Sequence, residues 1–286
     1  ALNAQALKAE AQAREAAERL TAVEPRRAEG RQSKARPLDV VLVIVDTLRF
    51  DALYHELIND QPKEARAVLS EPQDTPFINQ WRKDSAHSFL NAYTQASRTK
   101  LSIPGTFMCT DPTTRYKARG LHVAERFERA GYQTLALTEE YFVFPIKDGG
   151  DYLINPFERT WHFTEDKQHH ALPLWEELLD ARDVKRPMMA WVHLYMMHAP
   201  YFSGEKRMTL RDGSARERYQ MALQTLDAHL KALIGSLERR GALDHTLIAI
   251  TSDHGEGLGD HNVDGHGSSV FEEQVRTPFL IYDPRL

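Results

Sequence analysis

After Pro37 the chain alternates short unbroken apolar runs with longer stretches whose apolar positions recur every three or four residues. This alternation predicts βαβ units, an α/β fold with a mostly parallel central sheet and helices on both faces. The first run, Val40–Val45, has no polar alternation, as fits a strand covered on both sides. Further strands are predicted over Thr134–Leu137, Met188–Leu194, Thr246–Thr251 and Leu280–Tyr282. Helices are predicted over Thr75–Lys83, opening at Thr75-Pro76, over Val123–Ala130, ending at Gly131, over Leu172–Leu179, and over Arg216–Arg240, closed by Gly241.

Residues 1–37 follow a different rule. They are dense in Ala, Glu, Arg and Gln, break at Pro25, and end in a basic stretch of Arg26, Arg27, Arg31, Lys34 and Arg36. The pattern predicts an exposed helical arm and linker, with a membrane-surface or partner-binding helix as the alternative. Residues 38–286 then form the second, larger domain.

Charge and composition narrow the function classes. With 36 basic against 41 acidic side chains and a net charge of -5, the chain lacks the basic balance of a nucleic-acid binder, so no nucleic-acid partner is expected. The longest aliphatic run, Val40–Val45, is far short of the roughly 20 residues of a membrane-spanning helix, so a membrane contact is expected only through segments outside this chain. Cys109 is the only cysteine, which leaves neither an intrachain disulfide nor a thiolate metal site.

Ligands of open α/β sheets bind beyond the carboxyl ends of the strands. There the sequence turns polar: Asp46 follows the first strand, His198 follows Met188–Leu194, and Asp253-His254 follows Thr246–Thr251. A single Asp in such a place also suits a helix cap or turn. Carboxylates converging from separate strands, however, repel one another unless a cation neutralises them. Oxygen and imidazole donors suit zinc, manganese or a calcium-like ion.

The segments VLVIVDTLRFDAL, TPFINQWRKDSAHSFLNAYTQASRTKLS, HVAERFERAGYQTLAL, HLYMMHAPY and LIAITSDHGEGLGDHNVDGHGSSVFEEQVRTPFLIY resemble, in this order, the motifs of the alkaline phosphatase/sulfatase superfamily. The resemblance runs from about Leu38 to Tyr282. It implies that superfamily's fold and a divalent metal, zinc with manganese or calcium as alternatives, held by Asp46, Thr99, Asp253 and His254. It also implies a C-terminal subdomain that is short or absent, because the chain stops soon after the last strand motif.

Thr99 stands where sulfatases carry the Cys or Ser that becomes formylglycine, within Ser97-Arg98-Thr99-Lys100-Leu101-Ser102. Formylglycine cannot be made from Thr. The position is similar to that of the phosphoethanolamine and phosphoglycerol transferases, so the resemblance implies a metal-dependent phosphoester hydrolase or phosphoryl-group transferase with a Thr nucleophile. A sulfate-ester hydrolase and a catalytically inactive binding module are the alternatives. Metal coordination and the start of a helix would both make a Thr hydroxyl a better nucleophile.

His198 is expected to meet the ester oxygen or leaving group, and Lys100, Arg98 and Arg49 to clamp phosphate oxygens. His266, where the phosphoethanolamine transferases have His, and His261 are expected to contact the transferred group. Thr138-Glu139-Glu140-Tyr141 occupies the place of the family's Lys-bearing segment. The resemblance further implies a phosphate- or sulfate-ester substrate, possibly lipid- or glycan-linked, and a periplasmic or cell-surface location with a membrane tether outside this chain.

Overall fold

A computed structural model of the protein describes residues 36–54, 74–108, 122–139 and 156–286. The predicted arm, residues 1–35, lies outside these, as do Cys109, Glu140 and Tyr141. The described strands are β1 (Asp39–Val45), β2 (His87–Ser88), β3 (Gln133–Glu139), β4 (Arg159–Phe163), β5 (Met188–Leu194), β6 (Phe202–Ser203), β7 (Lys206–Arg207), β8 (Thr246–Ser252), β9 (Gly257–Leu258), β10 (Asp264–Gly265) and β11 (Phe279–Tyr282). The α-helices are α1 (Phe50–Leu53), α2 (Pro76–Asp84), α3 (Thr99–Met108), α4 (Val123–Arg129), α5 (Ala171–Ala181), α6 (Ala215–Arg239) and α7 (Glu272–Val275).

Seven strands form one sheet in the order β2-β11-β8-β1-β5-β3-β4. The ladders joining β8, β1, β5, β3 and β4 are parallel, and β11 runs antiparallel to β8. This is the mostly parallel sheet that the unbroken apolar runs predict. Because alternate residues of a strand face opposite sides, β1 feeds two cores. Val41, Val43 and Val45 face one, with Ile78 of α2, Trp175 of α5 and Leu226 of α6; Ile44 faces the other, with Ile103 and Phe107 of α3 and Ala124 of α4. Helices therefore cover both faces.

β3 and β4 depart from the sequence expectation, as do the two-residue strands β2, β6, β7, β9 and β10, which it does not include. β3 runs on through Thr138 and Glu139, polar residues that are nevertheless buried. β4 escapes a hydrophobicity reading because it is an edge strand with exposed polar positions, Arg-Thr-Trp-His-Phe. Among the described residues no helix is long and apolar enough to cross a membrane.

Candidate active site

Strand register assembles the site. β1 and β8 are parallel neighbours with Val45 opposite Ser252, so Asp46 and Asp253, one residue further along each, leave the sheet side by side. On the other flank of β1, Ile44 lies opposite His193 of β5. Helix α3 packs over the same face as Ile44, and its first residue is Thr99. The Thr99 hydroxyl lies 3.0 Å from His254 Nε2 and donates to Asp46 Oδ2 at 3.3 Å. His254 Nε2 is 3.4 Å from Asp253 Oδ2 and 3.8 Å from Asp46 Oδ1.

The turns that carry these groups are tightly held. Thr47 takes a positive φ of 57°, unusual for a β-branched residue. Its amide donates to Asp253 Oδ1 at 3.3 Å and its hydroxyl to the Met197 carbonyl at 2.6 Å. Tyr219 of α6 donates to the Thr47 carbonyl at 2.9 Å and accepts from the Arg49 amide at 2.9 Å. Ser252 accepts from the Leu48 amide at 3.0 Å, and its hydroxyl faces the Val45 and His254 carbonyls. Gly255 is required for space: a Cβ there would sit 2.0 Å from the Glu273 carbonyl oxygen.

Burial sets the electrostatics. Asp46 and Asp253 are 0% and 2% exposed. Burial pushes the Asp46 carboxyl well above the usual carboxylate range, reinforced by Asp253 and Glu256, and burial raises Asp253 as well. His254 is pushed down to about 3 by burial, with His266 adding repulsion, and burial takes His193 down to about 4. Both imidazoles are thus neutral near pH 7, the form that ligates metal. The Nδ1 of His254 donates to the Gly255 carbonyl at 2.8 Å, which turns the lone pair of Nε2 toward Thr99.

These residues fit a divalent cation. Asp46 Oδ1 and Asp253 Oδ2 are buried and have no hydrogen-bond partner among the described residues. Leaving such acceptors dry and unpaired is costly. A cation between them would satisfy both at once. Ligand atoms of Asp46, Asp253 and His193 lie within 4.8 Å of one another. His193 does not stand out from sequence, where it lies inside a buried strand; its one signal is being the single polar residue of Met188–Leu194.

A line of imidazoles leads outward from this cluster. The His266 ring is 4.5 Å from that of His254 and 5.1 Å from that of His198. Glu256, only 1% exposed, accepts from His266 Nδ1 at 3.0 Å. Nothing but its place in the Ser-Asp-His-Gly-Glu run marks it in the sequence. His198 stacks on Tyr195 and donates from Nδ1 to the Ala199 carbonyl at 2.8 Å.

Other expected site residues have different surroundings. Arg49 is buried, bonded through Nε and one terminal nitrogen to both oxygens of Asp51 and through the other to the Glu256 carbonyl and Asp260. Through these bonds the guanidinium ties the end of β1 to the loop after β8. His261 is exposed, stacked on Phe271 and bonded to Glu273. Lys100 and Arg98 are exposed beside Thr99.

Comparison with known proteins agrees with this architecture. The chain is 32% identical over 134 residues to the multifunctional alkaline phosphatase superfamily protein PehA of Trinickia caryophylli, a match covering 42% of this chain and 26% of that protein. It is 34% identical over 70 residues to an arylsulfatase of Clostridium perfringens, covering 24% of this chain and 14% of that protein. The matches thus span about a quarter or less of these curated relatives. Among solved structures, the zinc complex of the C-terminal periplasmic domain of EcEptC from Escherichia coli superposes with a TM-score of 0.66 at 16% identity, covering 87% of this chain and 73% of that one. The phosphonate monoester hydrolase of Agrobacterium radiobacter gives 0.64 at 15% identity, covering 87% and 68%. The sequence profile of the Sulfatase family matches residues 39–286. The chain therefore belongs to the sulfatase family, an enzyme superfamily of hydrolases and transferases.

Proposed function

We propose that the protein is a metal-dependent phosphoester hydrolase or phosphoryl-group transferase in which Thr99 is the nucleophile. The carrying observation is the Thr99 hydroxyl at the start of α3, within 3.0 Å of His254 and 3.3 Å of Asp46. Asp46, Thr99, Asp253 and His254 would hold the cation. When bound there, a divalent ion lowers the pKa of a neighbouring hydroxyl and offsets charge on the phosphoryl oxygens.

The residues of the chain supply the rest. Asp46, bonded to the Thr99 hydroxyl, takes its proton as the Thr99 oxygen attacks phosphorus. The ester P–O bond breaks, and the leaving oxygen takes a proton from Nε2 of His198 in its imidazolium form, which becomes neutral. Neutral His198 then removes a proton from water or an acceptor hydroxyl, whose oxygen attacks the phosphorus of the phospho-threonine; the bond from phosphorus to the Thr99 oxygen breaks, and Asp46 returns its proton to that oxygen. Because His198 Nδ1 faces the Ala199 carbonyl, Nε2 is the nitrogen left for both transfers. His266, oriented by Glu256, contacts the transferred group, and the exposed Lys100 meets its outer oxygens. The substrate is a phosphoester, lipid- or glycan-linked, met outside the cytoplasm by a protein tethered through a segment beyond this chain. The periplasmic origin of the EcEptC domain supports that location.

Zinc-loaded protein assayed in parallel on aryl phosphate monoesters, diesters and a sulfate ester tests the reading. Turnover of a phosphorus ester, with an intact-mass increment on Thr99 equal to the transferred group, is the expected result. Turnover of the sulfate ester alone would move the assignment to a sulfatase using unmodified Thr99, as the arylsulfatase relatives suggest. Metal binding without turnover of any ester would make the protein an inactive binding module.

A further inference from the structure

The four groups proposed above, which would hold the cation, come from the rim of the sheet and from α3. The floor beneath them is formed by β5. Opposite Ile44, His193 sits one pleat below Asp46 on the same face of the sheet, in line with Trp191 and Tyr195, whose rings stand 5.7 and 6.3 Å from its own. Trp191 continues into the apolar core beside α3, so an all-packing strand would carry another apolar side chain at position 193. The strand instead carries an imidazole that is 0% exposed.

We propose that His193 is a metal ligand of this site, its Nε2 closing the coordination sphere of the ion from below between Asp46 and Asp253. His193 Nε2 is 3.8 Å from Asp46 Oδ2, and the donor atoms of the three residues fall within 4.8 Å of one another. Ligands about 2.0–2.2 Å from a common ion are separated by at most about 4.4 Å, so small side-chain adjustments bring all three into one sphere. Independently of that spacing, the buried Asp46 Oδ1 and Asp253 Oδ2 lack hydrogen-bond partners among the described residues. A neutral imidazole adds a donor without adding charge, leaving two carboxylates to match a divalent ion. Two histidines, His193 and His254, also make the site richer in nitrogen than calcium or magnesium prefer and select a zinc-like transition metal.

This inference rests on the metal reading above, and zinc affinity measured by chelator competition separates the two. Full-length wild-type protein is expected to bind one zinc at the site. His193→Gln, which keeps the size and polarity of the side chain, is expected to bind zinc more than about 100-fold more weakly, beyond the roughly 10–100-fold of a residue that only orients a ligand. A smaller loss, or none, in a variant whose metal-free circular dichroism matches wild type overturns the ligand assignment.

Should His193→Gln fail to fold, cobalt-loaded wild-type protein decides by proton NMR. Two paramagnetically shifted, exchangeable imidazole N–H signals are expected, and a single one overturns the proposal while leaving the metal reading intact. Wild-type protein that takes up neither zinc nor cobalt overturns both.

Discussion

The Thr99 hydroxyl and Nε2 of His254 lie 3.0 Å apart although 155 positions separate them in the chain. The contact depends on α3 beginning at Thr99 and on the Nδ1 bond of His254 to the Gly255 carbonyl. Thr99→Ala removes the attacking oxygen while leaving Asp46, Asp253 and His254 in place. Its ester turnover is expected to fall by at least about 10^3-fold, since loss of a nucleophile removes a whole reaction route. Thr99→Ser, which restores a hydroxyl, is expected to recover part of the rate. Steady-state kinetics check both, and a Thr99→Ala enzyme within tenfold of wild type would end the nucleophile assignment.

Arg49 offers a contrast between two roles. Its guanidinium spans Asp51 and Asp260, while Arg216 bonds the second oxygen of Asp260 at 2.6 Å. Arg49→Met takes from Asp51 the cation that holds both its oxygens and leaves Asp260 with Arg216, and stability is expected to fall by about 3 kcal/mol. Urea unfolding at neutral pH measures this. A raised KM with unchanged stability would return Arg49 to the phosphate-clamping role expected from sequence.

Stability should also depend on His122, away from the active site. His122 Nδ1 accepts from the Ala124 amide at the start of α4, and its ring stacks on Phe107 at 4.9 Å. Burial lowers its pKa from 6.5 to about 4, so the folded state keeps it neutral where the unfolded chain is protonated. The folded state then binds fewer protons, and stability is lost as pH falls from about 6.5 toward 4, by at most about 3 kcal/mol from this group. His122→Asn keeps a capping acceptor but does not titrate. Relative to wild type, its urea midpoint is expected to rise on moving from pH 7 to pH 4.5, with metal-free protein used throughout. An unchanged difference between the two proteins would show that His122 does not titrate as described.

Much of the architecture can be read before any coordinates. Val40–Val45 and Met188–Leu194 announce buried parallel strands because a strand covered on both faces has no polar alternation, and both are central in the sheet. Arg216–Arg240 announces α6 through its spacing and its closing Gly241, and the long amphipathic face is what packs against the strands. Asp46, Asp253 and His254 are legible as candidates because they follow strands, where α/β sheets expose chemistry, whereas Thr99 is legible only through the resemblance of its segment to the superfamily's motif. β4 is not legible, since an edge strand buries too little to leave a strong pattern.

What pattern could not supply is lateral. A run of apolar residues reports that a strand is buried, not which residue of another strand lies opposite it; that depends on register and on sheet order. Only when Ile44 is paired with His193, and Val45 with Ser252, does an inconspicuous strand histidine come beneath two carboxylates. In the same way, Arg49 read as a free cation until folding brought Asp260 from 211 positions away to meet it. Local sequence carries the periodicity of single elements, whereas the partners of a buried charge come from distant segments that only packing and long-range pairing bring together.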